Sequence, residues 1–124
     1  MKVANPLARF GEDQAFIYLQ KHGYKIIERN YRKTYGEIDI VAIDESLPNK
    51  VLAFVEVKTR TSNAFGSPLE AIGYFKLRSL IKTAQYYKLT HRNLPESLRI
   101  DAVSIILSGN EVQNIELTKN ISGF

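Results

Sequence analysis

Two helix-forming segments and five strand-forming runs, in the order αβββαββ, predict one α/β sandwich with a mixed central sheet. Residues 6–22 and 68–89 repeat apolar side chains at helical spacing between start and stop signals. Residues 51–58 are apolar on both faces until the end of the run, and residues 98–107 read as another fully buried strand, as strands covered on two sides do. The chain has 124 residues, 44% of them hydrophobic, enough for a single core spanning 1–124 without cross-links.

Taken in order, Asn5 is placed to cap the first helix, Pro6 sits at its first position and Gly23 follows its end. Ala8, Glu12, Ala15 and Leu19 share a stripe with Phe16 at its edge, so Glu12 points inward. Tyr24 to Tyr31 and Glu37 to Ile43 read as strands joined by the basic turn Arg32-Lys33-Thr34-Tyr35. After a loop from Asp44 to Lys50 comes the strand Val51 to Lys58. Ser67-Pro68-Leu69-Glu70 combines a capping box with Pro at the first helical position. The helix that follows lines up Leu69, Gly73, Lys76, Leu80, Thr83 and Tyr87 on one side. Leu98 to Leu107 is the next strand, and Ser108-Gly109-Asn110 turns it into a short edge strand, Val112 to Leu117.

Composition narrows the chemistry. Zero Cys excludes a disulfide scaffold, a thiolate metal site and a Cys nucleophile, and two His give poor support for a His-rich zinc site. No run reaches the roughly 18 apolar residues of a membrane span, and no hydrophobic signal core follows Met1, so the expectation is a cytoplasmic protein without a membrane partner. The net charge of +4 permits a polyanionic partner without requiring one.

Three charged positions break the apolar pattern, and local rules tend to break where function sits. Asp39 interrupts a buried strand, while Glu56 and Lys58 end another on one shared face. If these strands are neighbours, Asp39 and Glu56 meet, and Glu12 can reach the same point from the covering helix. Two carboxylates about 4 Å apart repel by roughly 4 kcal/mol at an effective dielectric near 20. Lys58 offers one compensating charge, so a hard divalent ion, Mg²⁺ or Mn²⁺, is the expected remainder. Such a site beside a lysine suits phosphodiester cleavage, with Lys58 positioning or deprotonating the attacking water.

Asp39, followed 17 positions later by Glu56-Val57-Lys58, resembles the Asp…Glu-x-Lys signature of the restriction-endonuclease-like PD-(D/E)xK nucleases. The helical Glu12 resembles the extra acid of archaeal Holliday-junction resolvases. More of the chain resembles the small bacterial YraN-like family. The matching blocks are Gly11-Glu12, Arg29-Asn30-Tyr31-Arg32, Gly36-Glu37-Ile38-Asp39-Ile40-Val41, Phe54 to Arg60, Lys76 and Arg99 to Val103. The resemblance implies a restriction-endonuclease-like fold, divalent-metal dependence and nuclease activity, with DNA, branched or single-stranded, as the expected substrate. The Pro-Asp pair that names the superfamily is absent, because Ile38 precedes Asp39.

Several residues carry two readings. Glu37 is either a further metal ligand or a solvated acid beside the turn, and Lys76 either contacts phosphate or balances the acids, or else snorkels along the sheet to water. Glu12 has an ordinary helix-surface salt bridge as its alternative, and Asp101 reads as structural. Arg29, Arg32, Lys33 and Arg60, with Lys76 from the second helix, are the candidate phosphate contacts, with Tyr31, Tyr35 and Phe65 placed to stack on bases. The competing explanation of these residues is a solvated charged face, and the competing function is a nucleic-acid-binding module that keeps the nuclease fold without cutting. A resolvase-type double cut would suit a homodimer.

Overall fold

The structure, a computed structural model, describes residues 5–61 and 72–122. Helix α1 spans Pro6–Lys21, with the Asn5 side chain accepting the Leu7 amide at 2.9 Å and Gly23 following the C-cap at φ 89°. Strands β1 (Tyr24–Lys33), β2 (Gly36–Asp44) and β3 (Val51–Arg60) form an antiparallel meander. Helix α2 (Tyr74–Thr90) then crosses over, so that β4 (Leu98–Ser108) lies parallel to β3, and β5 (Glu111–Thr118) returns antiparallel at the edge. The five strands lie in chain order within one mixed sheet.

One helix covers each face. Ala15 and Leu19 of α1 pack with Ile40, Ala42, Val55, Val103 and Ile105, whereas Leu80, Ala84 and Tyr87 of α2 pack with Val41, Phe54 and Ile100. Residues adjacent along β2, β3 and β4 thus serve opposite cores, which explains their apolar runs.

Three expectations need adjustment. The β1–β2 turn is only Thr34-Tyr35, because Arg32 pairs with Glu37 and Lys33 with Gly36 across the ladder. Ala8 is exposed rather than buried, since the first turn of α1 borders a cleft. Helix α2 begins at Tyr74 with Gly73 at its N-cap, and the Ser67–Glu70 capping box, Leu69 and Phe65 lie outside the described residues.

Arg99 and Asp101 build a buried network at one end of the sheet. Arg99 Nε and one terminal nitrogen donate to Asp101 at 2.7 and 2.8 Å, and that nitrogen also donates to Asp44 Oδ2 at 2.6 Å. The Tyr24 hydroxyl donates to Asp101 at 2.7 Å, and Lys119 Nζ donates to Asp44 at 3.0 Å. Burial opposes ionisation of Asp44, but hydrogen bonds from Ser46, Arg99 and Lys119 outweigh it and hold the carboxyl well below the ordinary range.

Candidate active site

The β2–β3 ladder pairs Asp44 with Val51 through to Ile40 with Val55, and there it stops. The next residues along are Asp39 and Glu56. In place of a backbone bond, the Val57 amide donates to Asp39 Oδ2 at 2.8 Å, so the strands part around the acid that interrupts β2. This fork opens a cleft of about 750 Å³ lined by Glu12, Asp39, Glu56, Lys58 and Lys76, with Arg9, Arg29, Asn30, Arg32 and Glu37 around them.

Glu56 is the most enclosed of these groups, its side chain 5% exposed. Asp39 is its acidic neighbour across the fork, one step beyond the Ile40–Val55 pair. Burial first, then the neighbouring Asp39 carboxyl, push Glu56 up to about 7. Lys76 Nζ and Lys58 Nζ stand 3.4 and 3.8 Å from Glu56 Oε2. Lys76 therefore reaches the acid rather than snorkelling away from it, and the two lysines come from different elements.

Glu12 arrives from the opposite layer. Gly11 allows it: a Cβ there would stand 1.9 Å from Thr59 Oγ1, so only glycine lets α1 lie this close to the end of β3. Burial, then the charge of Asp39, raises the Glu12 pKa, while Arg29 and the Asn30 side chain oppose the rise. Glu12 Oε1 is buried without a hydrogen bond and lies 3.6 Å from Arg29. Its ion-pair partner thus comes from β1, not from a neighbouring turn of its own helix.

The predicted basic residues divide. Arg32 lines the cleft and lies 3.8 Å from Glu37 Oε2, a pairing that gives Glu37 a cation on the neighbouring strand. Arg29 also lines it, but its guanidinium is held by Asp13 at 2.6 Å and packs over Phe16 at 5.0 Å. Lys33 extends over the Tyr31 ring at 5.6 Å, and Arg60 is half-buried at the end of β3; neither is among the residues lining the cleft. Among the described residues no three His, Cys, Asp or Glu groups form a ready-made metal cage.

Asn30 was not singled out from the sequence as a site residue. It lines the cleft at φ 55°, a conformation Asn tolerates better than most residues, inside a strand where Asn is depleted. That mismatch is the signal a sequence reading could have used. His22 and His91 stand apart from the cleft, each ending a helix with Nδ1 2.8 Å from a carbonyl oxygen of the last turn.

Residues 11–105, which hold every acid and lysine of the cleft, match the profile of the family described as Uncharacterised protein family UPF0102. A UPF0102 protein of Geobacter metallireducens is 47% identical over 103 residues, covering 83% of this chain and 81% of the relative. One from Persephonella marina is 44% identical over 96 residues, covering 77% and 79%, and one from Caldicellulosiruptor bescii is 41% identical over 116 residues, covering 92% and 94%. With the match extending over most of its length, the chain belongs to the UPF0102 family.

Proposed function

We propose that this protein is a divalent-metal-dependent nuclease of the restriction-endonuclease-like PD-(D/E)xK type, hydrolysing phosphodiester bonds in DNA. The observation that carries the reading is the convergence of Asp39 and Glu56 where β2 and β3 part, with two lysines on Glu56. The neighbouring carboxyls of Asp39 and Glu56, beside a buried Glu12 oxygen without a hydrogen bond, are a donor set suited to a hard cation that retains several waters. Asp39 and Glu56 would hold Mg²⁺ or Mn²⁺, with Glu12 completing the shell directly or through water. When bound, the ion supplies polarisation of the phosphate and acidification of water.

The protein's own groups do the rest. The Val57 amide keeps Asp39 fixed, so its oxygen needs no reorganisation when substrate arrives. Lys58 orients the attacking water from the cleft wall. Lys76 and Arg32 neutralise charge on the phosphate from other parts of the wall. Arg29, occupied by Asp13 and Glu12, positions Glu12.

The decisive experiment compares wild type with Glu56→Ala and Lys58→Ala on single-stranded, flap and four-way-junction DNA, with Mn²⁺ and with EDTA. Cleavage that needs Mn²⁺ and falls at least a hundredfold in both variants is the expected result. Equal cleavage by all three proteins rejects it. A second reading is favoured by the two lysines, which already offset the charge of Glu56 without a metal. In it the domain binds nucleic acid without cutting, and salt-sensitive binding persists in EDTA and in Glu56→Ala.

A further inference from the structure

Helix α2 carries Lys76, Arg78, Lys82 and Lys88 and no acidic residue, a charge equal to the net +4 of the whole chain. Its buried side, Leu80, Thr83, Ala84 and Tyr87, faces the sheet. At 100° per residue Tyr74, Phe75, Arg78, Lys82 and Tyr86 fall within about 120° on the opposite side, and all are exposed. Phe75 is 83% exposed and Tyr86 51%, large apolar rings set among cations. Arg78 donates to the Tyr74 hydroxyl at 3.0 Å, and Lys82 has no ion-pair partner among the described residues. Tyr86 packs against Tyr35 of the β1–β2 turn, centroids 4.5 Å apart and planes tilted by 43°.

Lys76, about 100° around α2 from Phe75, and Arg32, on the same hairpin as Tyr35, both line the cleft, so the stripe and the cleft share one helix and one hairpin. From Lys76 to Tyr86 the helix rises about 15 Å, room for several stacked bases.

We infer that the outer face of α2, with Tyr35, binds single-stranded DNA leading to or from the cleft, its rings stacking on unpaired bases and Arg78 and Lys82 contacting phosphates. The inference rests on the nucleic-acid reading of the cleft and adds to it a substrate class, because a duplex hides the base faces that these rings would meet. Stacking tolerates any sequence, since every base presents a π face.

The test is fluorescence anisotropy of the full chain in EDTA, with a labelled single strand of twelve nucleotides and the blunt duplex of the same sequence. Wild type is expected to prefer the single strand at least tenfold. Phe75→Ala and Tyr86→Ala each weaken single-strand binding by roughly five- to 150-fold, and the double variant Arg78→Ala with Lys82→Ala flattens the salt dependence by about 1.4 in log–log slope. Lys21→Ala, an exposed cation on α1 in the opposite layer, leaves binding unchanged. Wild-type affinity in both aromatic variants overturns the stripe, even if Mn²⁺-dependent cleavage lost in Glu56→Ala upholds the nuclease. Aromatic-dependent binding without any cleavage supports the stripe and removes the nuclease. Tighter binding of RNA of the same sequence overturns the DNA assignment. Capture by phosphatidylserine vesicles that depends on Phe75, without oligonucleotide binding, overturns the inference altogether.

Discussion

Asp39 Oδ2 accepts the Val57 amide at 2.8 Å, a side-chain bond standing where the next rung of the β2–β3 ladder would be. The acid is therefore a structural plug as well as a candidate ligand, and the two roles separate by substitution. Asn retains a carbonyl acceptor, whereas Ala leaves the amide unpaired. Asp39→Ala is expected to lose about 1–3 kcal/mol in urea unfolding, with Asp39→Asn close to wild type in stability. If Asp39 also holds the metal, both variants lose Mn²⁺ binding by calorimetry.

The raised pKa of Glu56 fixes the sign of a pH effect. Its folded value of about 7 exceeds the ordinary 4.5, so the folded protein binds the proton more tightly than the unfolded chain. The associated stability is fully present below about pH 4.5 and is lost as pH rises through about 7, by roughly 3 kcal/mol at most. Glu56→Gln, permanently neutral, should be more stable than wild type at pH 8 and lack this fall. Urea titrations at pH 5, 6.5 and 8 measure it, and parallel curves for the two proteins would contradict the assignment.

Much of the fold is legible because its signals are local. Asn5, Pro6 and Gly23 bracket α1 within one stretch of chain, and the apolar runs of β3 and β4 reflect cover on both faces. The fork is not legible, because where a ladder ends depends on two strands at once. Spacing could bring Asp39 opposite Glu56 but could not say that pairing ceases there. The same limit applies to Arg29, whose partner Asp13 belongs to a different element, and to Lys76, whose distance to Glu56 depends on how α2 lies on the sheet. Arg32 and Lys33 have the basic, polar character of a turn, yet an edge strand can carry such side chains outward.

Gly11 sets the seat of α1. Adding a methyl places it 1.9 Å from Thr59 Oγ1, which forces helix and strand apart. Gly11→Ala is expected to cost about 1–3 kcal/mol and to draw Glu12 away from Asp39. The double variant with Thr59→Ala should recover part of that stability in thermal unfolding. Additive losses would mean that the contact is not the cause.

The Arg99 network is costly to break from one side. Arg99→Met leaves the buried Asp44 and Asp101 without their shared guanidinium and should destabilise by about 3–5 kcal/mol. Tyr24→Phe removes one donor to Asp101 and should cost about 1–2 kcal/mol. Chemical denaturation ranks the two, and the reverse order would show that Tyr24 rather than Arg99 anchors the cluster.

The parallel pairing of β3 with β4 has a consequence for how the chain matures. The meander β1 to β3 can zip from neighbouring turns, but β4 reaches β3 only after α2 has been made and folded across. Until then β3 presents an open edge with greasy surfaces on both sides, a template for pairing with other nascent copies. The vulnerable interval in the life of this protein is therefore on the ribosome, between synthesis of β3 and delivery of β4, and a cell producing it fast should depend on chaperones at that stage.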